Sequence, residues 1–138
     1  VSRSVDQKDD GSLRSLKGRK CRFNMFEPLG YDVQKAMPLK EAKATYGETA
    51  PLKRAYTYKA LNRLIQASAA DMTKQAMVNL YEAGERPLLQ VHDELGCSVQ
   101  DVEHAQRIRT IMESAISLKV PSKCDIDLGP SWGETEEI

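Results

Sequence analysis

Apolar residues change their spacing several times along the chain, and each change predicts an element. Residues 1–12 are polar, with Asp9-Asp10-Gly11, and predict a flexible lead-in. From Leu13 to Phe26 the period shortens. Lys17-Gly18 predicts a turn, and Cys21, Phe23 and Met25 alternate with Arg22 and Asn24, as in a β-hairpin with one apolar face. Pro28, Gly30 and Pro38 punctuate a loop, and residues 39–46 predict a short helix that stops at Gly47. A long helix is expected over 52–81, with Thr49 as its cap, Pro51 in its first turn and Gly84 beyond its end. Leu61, Ile65, Ala69, Met72, Ala76 and Leu80 recur at helical spacing and should face the core.

Two short apolar runs follow, residues 87–91 and 95–99, joined by His92-Asp93-Glu94. Asp101 opens a helix with Val102, Ala105, Ile108, Met112 and Ala115 inward, running to about Leu118 before Pro121. Residues 124–128 alternate as a last strand, and Gly129-Pro130-Ser131-Trp132-Gly133 closes the chain. The order of elements predicts an α+β domain of antiparallel β-hairpins, with the long helix and a second helix packed on the sheet.

At 138 residues and 15.4 kDa, with 41% hydrophobic residues, the chain can build one core, and wholesale disorder is excluded. Lys+Arg and Asp+Glu are 20 each, so the formal net charge is zero and gripping phosphates with the whole surface is not expected. The charge is segregated instead. Arg14, Lys17, Arg19, Lys20 and Arg22 form one basic stretch, and Lys53, Arg54, Lys59 and Arg63 another. Glu134, Glu136 and Glu137 make the tail acidic. Cys21, Cys97 and Cys124 are odd in number and lack a CxxC spacing, which points to reduced thiols rather than a zinc or disulfide framework. No run approaches a membrane span, and no signal-peptide core opens the chain. Its first residue is Val, which points to a processed, split or excised product.

Two features carry candidate chemistry. Asp93 and Glu94 lie at the tip of an apolar hairpin, and alternation should aim them differently, leaving one to bind an ion squarely. Carboxylates suit Mg²⁺, which is often held by one or two of them plus substrate phosphates, and two-metal phosphoryl transfer needs a further carboxylate. Taken alone, though, Asp and Glu between strands are usually solvated turn residues. Tyr58, Asn62 and Gln66 lie at i, i+4 and i+8 beside the apolar stripe of the long helix. Their amides suit minor-groove acceptors, where contacts tolerate sequence, or else they form a polar helix edge.

Together these residues resemble a known family. Lys53-Arg54-Ala55-Tyr56, with Ala60-Leu61-Asn62-Arg63-Leu64-Ile65-Gln66 and on to Asp71, is similar to the helix before the last catalytic motif of family A, or Pol I-like, DNA polymerases. Val91-His92-Asp93-Glu94-Leu95 resembles that family's His-Asp-Glu motif, and Leu16-Lys17-Gly18-Arg19-Lys20 its Gly-Arg hairpin. Val120-Pro121 and Gly129-Pro130-Ser131-Trp132 match its final strand and tail. The likeness covers residues 13–138, as a C-terminal palm segment, and its wording is closer to phage polymerases than to bacterial repair enzymes.

The resemblance implies a DNA-directed DNA polymerase. Asp93 would ligate Mg²⁺ and help align the primer 3′-hydroxyl, with Glu94 as a secondary acidic residue and His92 at the primer-terminal backbone. Asn62 and Gln66 would touch the minor groove or template, and Arg54, Lys59 and Arg63 would be phosphate or structural contacts. Tyr58 sits where many relatives place a basic residue. Ala67-Ser68 replaces the usual Gly-Thr or Gly-Ser, and Gly96-Cys97 replaces a bulkier apolar pair. Residues 27–50 exceed the bacterial segment in length.

The family's Asp-Tyr-Ser strand and nucleotide-holding fingers helix are absent from the sequence. Asp71, Asp125 and Asp127 are poor substitutes for the second palm aspartate. The expected partners are therefore primer-template DNA, deoxynucleoside triphosphates and an upstream polymerase fragment, without a membrane, in a bacterial or phage-infected cytoplasm. A competing expectation is a non-catalytic DNA-binding or assembly module. An unrelated metal nuclease ranks last, since His92 and His104 are the only histidines.

Overall fold

The computed structural model describes residues 1–6, 10–30 and 35–138, and it divides into two compact units, Val1–Ser68 and Ala69–Ile138. Parts of the expected lead-in (7–9) and of the long 27–50 segment (31–34) lie outside the described residues.

In the first unit the lead-in is more than a linker. Ser2–Asp6 forms helix α1, and Val5 is fully buried in a cluster with Leu13, Phe23 and Ala60, against which Cys21 and Leu64 pack. A five-residue helix is too short to persist on its own propensity, so this burial is what holds it. Strand β1 (Ser12–Arg14) pairs antiparallel with β2 (Lys20–Arg22), Leu13 facing Cys21. The turn between them falls at Lys17-Gly18, as expected, with Gly18 at φ +82°. Asp10 ties the hairpin base: it accepts from the Ser12 hydroxyl at 2.7 Å and pairs with Lys20 at 3.0 Å. Those two partners, Ser12 first, lower its carboxyl to about 2.

The hairpin ends sooner than the alternation predicts. Met25 opens a separate strand, β3 (Met25–Pro28), flanked by β4 (Met37–Pro38) and β5 (Leu52–Arg54). Helix α2 (Leu39–Tyr46) ends at Gly47, φ +105°, as read.

The long helix needs correction. Residues 52–54 are not helical but pair with β3 (Phe26 with Arg54, Pro28 with Leu52). Tyr56 then turns left-handed, φ 62°, and a 3-10 turn (Thr57–Lys59) leads into α3 (Ala60–Glu82). Leu, Lys and Arg are good helix formers, but propensity differences are small per residue and the pairing with β3 overrides them. The expected inward stripe holds only in its second half, where Ala76 and Leu80 are buried as read. Leu61 and Ile65 are 53% and 57% exposed and Ala69 is exposed, whereas Ala60, Asp71, Ala76 and Leu80 are buried.

In the second unit, β6 (Pro87–Val91) and β7 (Glu94–Cys97) form the expected hairpin. Helix α4 (Val102–Glu113) starts as read: the Asp101 carboxylate accepts from the His104 backbone N–H at 2.7 Å. It stops at Glu113 rather than Leu118. There the Glu113 carboxylate accepts from Arg109 Nε (3.2 Å) and from the backbone N–H of Cys124 (3.0 Å), tying the returning chain to the helix end. Ala105 and Ile108 are buried as expected, while Val102 is 46% exposed.

The last segment also differs. In place of one strand over 124–128 there is a second hairpin, β8 (Asp127–Ser131) with β9 (Glu134–Glu137), turning at Trp132-Gly133. A side chain at Gly129 would run into the Glu134 carbonyl, so only glycine allows the strands to close there. All strand pairing among the described residues is antiparallel, and the fold class is α+β, as expected.

Candidate functional site

The sequence-predicted site residues divide between the units: Arg54, Tyr58, Asn62, Arg63 and Gln66 in the first, His92, Asp93 and Glu94 in the second.

The β6–β7 hairpin turns on two residues, His92 and Asp93, between the paired Val91 and Glu94. His92 has φ 54°, at the position where a two-residue hairpin usually places glycine when the first central residue is left-handed. A side chain there costs about 1–2 kcal/mol, a local strain of the kind that clusters at binding and catalytic positions. Gln90 steadies the bend, its side-chain amide donating to the His92 carbonyl at 2.9 Å. His92, Asp93 and Glu94 are all exposed. Among the described residues no hydrogen bond or ion pair engages either carboxylate, so their oxygens face solvent. Asp93 occupies the tip and Glu94 begins the returning strand.

Asn62 and Gln66 are exposed one turn apart on α3, as the stripe predicted. Tyr58 stands just ahead of that helix in the 3-10 turn, 74% exposed, with Lys59 Nζ 5.6 Å from its ring centroid. Arg63 is exposed, its guanidinium lies 4.8 Å from the Phe23 ring centroid, and its Nη1 donates to the Arg22 carbonyl. Arg54 is half-buried. Its Nη1 donates to the Phe23 carbonyl at 2.9 Å, and it covers the Phe26 ring at 5.0 Å. Arg54 thus joins β5 to β3 and to the segment between β2 and β3.

Three arrangements were not apparent in the sequence. Arg22, Asn24, Tyr56 and Arg63 share the lining of a cavity of about 120 Å³, joined only through contacts distant in sequence. The Gly-Arg turn is anchored on α3, with Arg19 Nη2 donating to the Ala67 carbonyl at 2.7 Å and the Leu16 N–H to Ser68 Oγ at 3.3 Å.

The third centres on His104, in the first turn of α4. Its side chain is only 13% exposed. Nδ1 accepts from the Gln100 N–H at 3.2 Å, and Nε2 lies 2.9 Å from Glu85 Oε2. The hydrogen bond from His104, with help from Arg107, lowers the Glu85 carboxyl below its ordinary value. Burial, with the Glu85 charge adding to it, raises the Cys97 thiol, and Cys97, Cys21 and Cys124 are all free, as expected.

Among the described residues no group of three or more His, Cys, Asp and Glu could hold a metal ion on its own. Nor, among the described residues, is any helix long and apolar enough to cross a membrane.

The family model for DNA polymerase family A matches residues 5–134. A DNA-directed DNA polymerase of Pseudomonas phage M6 is 38% identical over 125 residues, which cover 91% of this chain and 15% of that protein. DNA polymerase I of Geobacillus stearothermophilus is 42% identical over 82 residues, 53% of this chain and 9% of the relative. The Bacillus subtilis DNA polymerase I is 40% identical over a stretch of the same length, with the same shares. The chain thus spans 15% or less of the length of these relatives. With the His-Asp turn and the Asn62/Gln66 helix both inside the matched region, the chain belongs to DNA polymerase family A.

Proposed function

We propose that this chain works in DNA-directed DNA synthesis as part of a family A polymerase, with residues 13–138 as the last portion of the palm. The observation that carries the reading is the exposed, strained His92-Asp93 turn inside a family match over residues 5–134.

In this reading Asp93 is the principal palm carboxylate and Glu94 a supporting one. Both offer free carboxylate oxygens, the hard donors that Mg²⁺ prefers. They fit part of a two-metal site, and the second aspartate must come from polypeptide outside these residues. When bound, the ions would supply charge stabilisation to the reacting phosphoryl group. The chain's own residues then position the nucleic acid. Asp93 aligns the primer 3′-hydroxyl and His92 meets the primer-terminal backbone. Asn62 and Gln66 present amides to minor-groove acceptors, whose pattern tolerates sequence. Arg63 and Tyr58 stand exposed for phosphate or sugar contacts, and the half-buried Arg54 is a phosphate or structural contact.

The partners are primer-template DNA, deoxynucleoside triphosphates and the remainder of the polymerase, in a bacterial or phage-infected cytoplasm. Reconstitution tests the reading. The 138-residue chain alone should extend no primer, because positioning and charge stabilisation need the complete site. Adding an upstream polymerase polypeptide that carries the Asp-Tyr-Ser strand should restore Mg²⁺-dependent extension. An assembled complex that binds primer-template but never extends it would instead identify a non-catalytic DNA-binding module.

A further inference from the structure

The terminal hairpin bears on the one that carries Asp93. Gly96 pairs with Leu89, two rungs beyond the Val91–Glu94 pair that closes the His92-Asp93 turn, roughly 7 Å along the strand. A Cβ built on Gly96 would lie 3.6 Å from Leu89 Cβ and 3.7 Å from Trp132 Cζ3. The indole therefore sits at van der Waals distance over that rung, where a side chain at position 96 would begin. Trp132 itself occupies the turn between β8 and β9. That turn is closed by the Ser131 hydroxyl bonding to Glu134 Oε2 at 3.2 Å, and the ladder is extended by the Ile138 N–H donating to the Ile126 carbonyl at 3.0 Å.

We propose that Trp132 is a positioning residue: it supplies, from the terminal hairpin, the apolar bulk that β7 lacks at Gly96, and so holds the hairpin that presents His92 and Asp93. The partner strand β6 is largely exposed. Leu88 and Leu89 are 73% and 47% exposed, β6 carries a register shift between Pro87 and Leu89, and a two-stranded ribbon is marginal unaided. An aromatic ring across the Gly96–Leu89 rung restrains the strand's twist. Trp132 stays 61% exposed, so one face makes the contact and the other reports solvent. What is positioned is the carboxylate of the polymerase reading, and to that extent the inference rests on it.

Amide hydrogen exchange on the 138-residue chain, followed alongside the fluorescence of its single tryptophan, provides the test. Trp132→Ala should speed exchange at Glu94, Leu95 and Gly96 by roughly five- to tenfold, leaving α4 amides unchanged. Trp132→Phe should stay near wild type, and Gly96→Leu added to Trp132→Ala should restore protection by refilling the rung from the strand side. In Gly96→Leu alone, the displaced indole should shift its emission to the red. In the assembled polymerase, Trp132→Ala should raise the Mg²⁺ concentration for half-maximal extension several-fold, with the KM for deoxynucleotide unchanged. Wild-type exchange at those three amides in Trp132→Ala would overturn the proposal, as would a loosened hairpin with an unaltered Mg²⁺ requirement. A wild-type assembly that extends no primer would count against the polymerase reading instead, and the exchange result would still decide whether Trp132 holds the hairpin.

Discussion

Replacing Leu80 and Ile65 separately by alanine distinguishes the buried end of the predicted apolar stripe of α3 from its exposed end. Leu80 is fully buried, so truncation removes its apolar contacts and leaves a cavity that its surroundings fill only in part. Substitutions of this kind cost about 2.7–5 kcal/mol. Ile65 keeps 57% of its surface in water, so less than half of the transfer free energy of a buried isoleucine is at stake. With about 1.5–3 kcal/mol for a fully buried aliphatic side chain, its loss should cost about 1 kcal/mol. Urea unfolding of the two variants against the wild-type chain measures the difference, with the m-value checked for constancy. Leu80→Ala should be the more destabilised by about 2 kcal/mol or more. If Ile65→Ala matched or exceeded it, the exposure assigned to the first half of the stripe would be wrong, and Leu61, Ile65 and Ala69 would be packed as Leu80 is.

Two further outcomes follow from local chemistry. At His92 the left-handed backbone predicts opposite effects of two replacements: His92→Gly should leave thermal stability equal or slightly higher, whereas His92→Val should lower it by about 1–2 kcal/mol. Equal melting temperatures for these two variants would show that the turn carries no strain. At Glu85 the sign follows from the lowered carboxyl. A depressed folded value contributes stability that is present above the unfolded value near 4.5 and is lost as pH falls through the lower folded one. The stability advantage of wild type over Glu85→Gln should therefore shrink as pH drops below about 4.5. An advantage constant from pH 6 to pH 2.5 would contradict the His104–Glu85 arrangement.

Features with a local cause were legible in the sequence. The β6–β7 hairpin follows from two apolar runs bounding a polar turn, the start of α4 from the Asp101 cap, and the end of α2 from Gly47. The exposed placement of Asn62 and Gln66 follows from helical spacing. What was not legible depends on contacts distant along the chain. Residues 52–54 are pulled from the helix by pairing with β3, which lies 28 residues earlier at Phe26↔Arg54 and 24 earlier at Pro28↔Leu52. Arg54 is diverted to the Phe23 carbonyl, and Val5 is buried in a cluster with Leu13, Phe23 and Ala60. His104 looks like any exposed helix polar residue until Glu85 is placed against it. The β8–β9 hairpin lacks an apolar alternation in its acidic second strand, and the closing role of Gly129 shows only once Glu134 lies opposite. Within the site, the turn and its acidic pair could be read from residue order, but the left-handed His92 could not.

The most direct measurement of the central claim is Mg²⁺-dependent primer extension by the assembled polymerase carrying Asp93→Asn or Glu94→Gln, with primer-template binding measured on the same preparations. The account predicts that Asp93→Asn lowers the extension rate by roughly 10³-fold while binding is retained, and that Glu94→Gln has a much smaller effect. Undiminished extension by Asp93→Asn would contradict it.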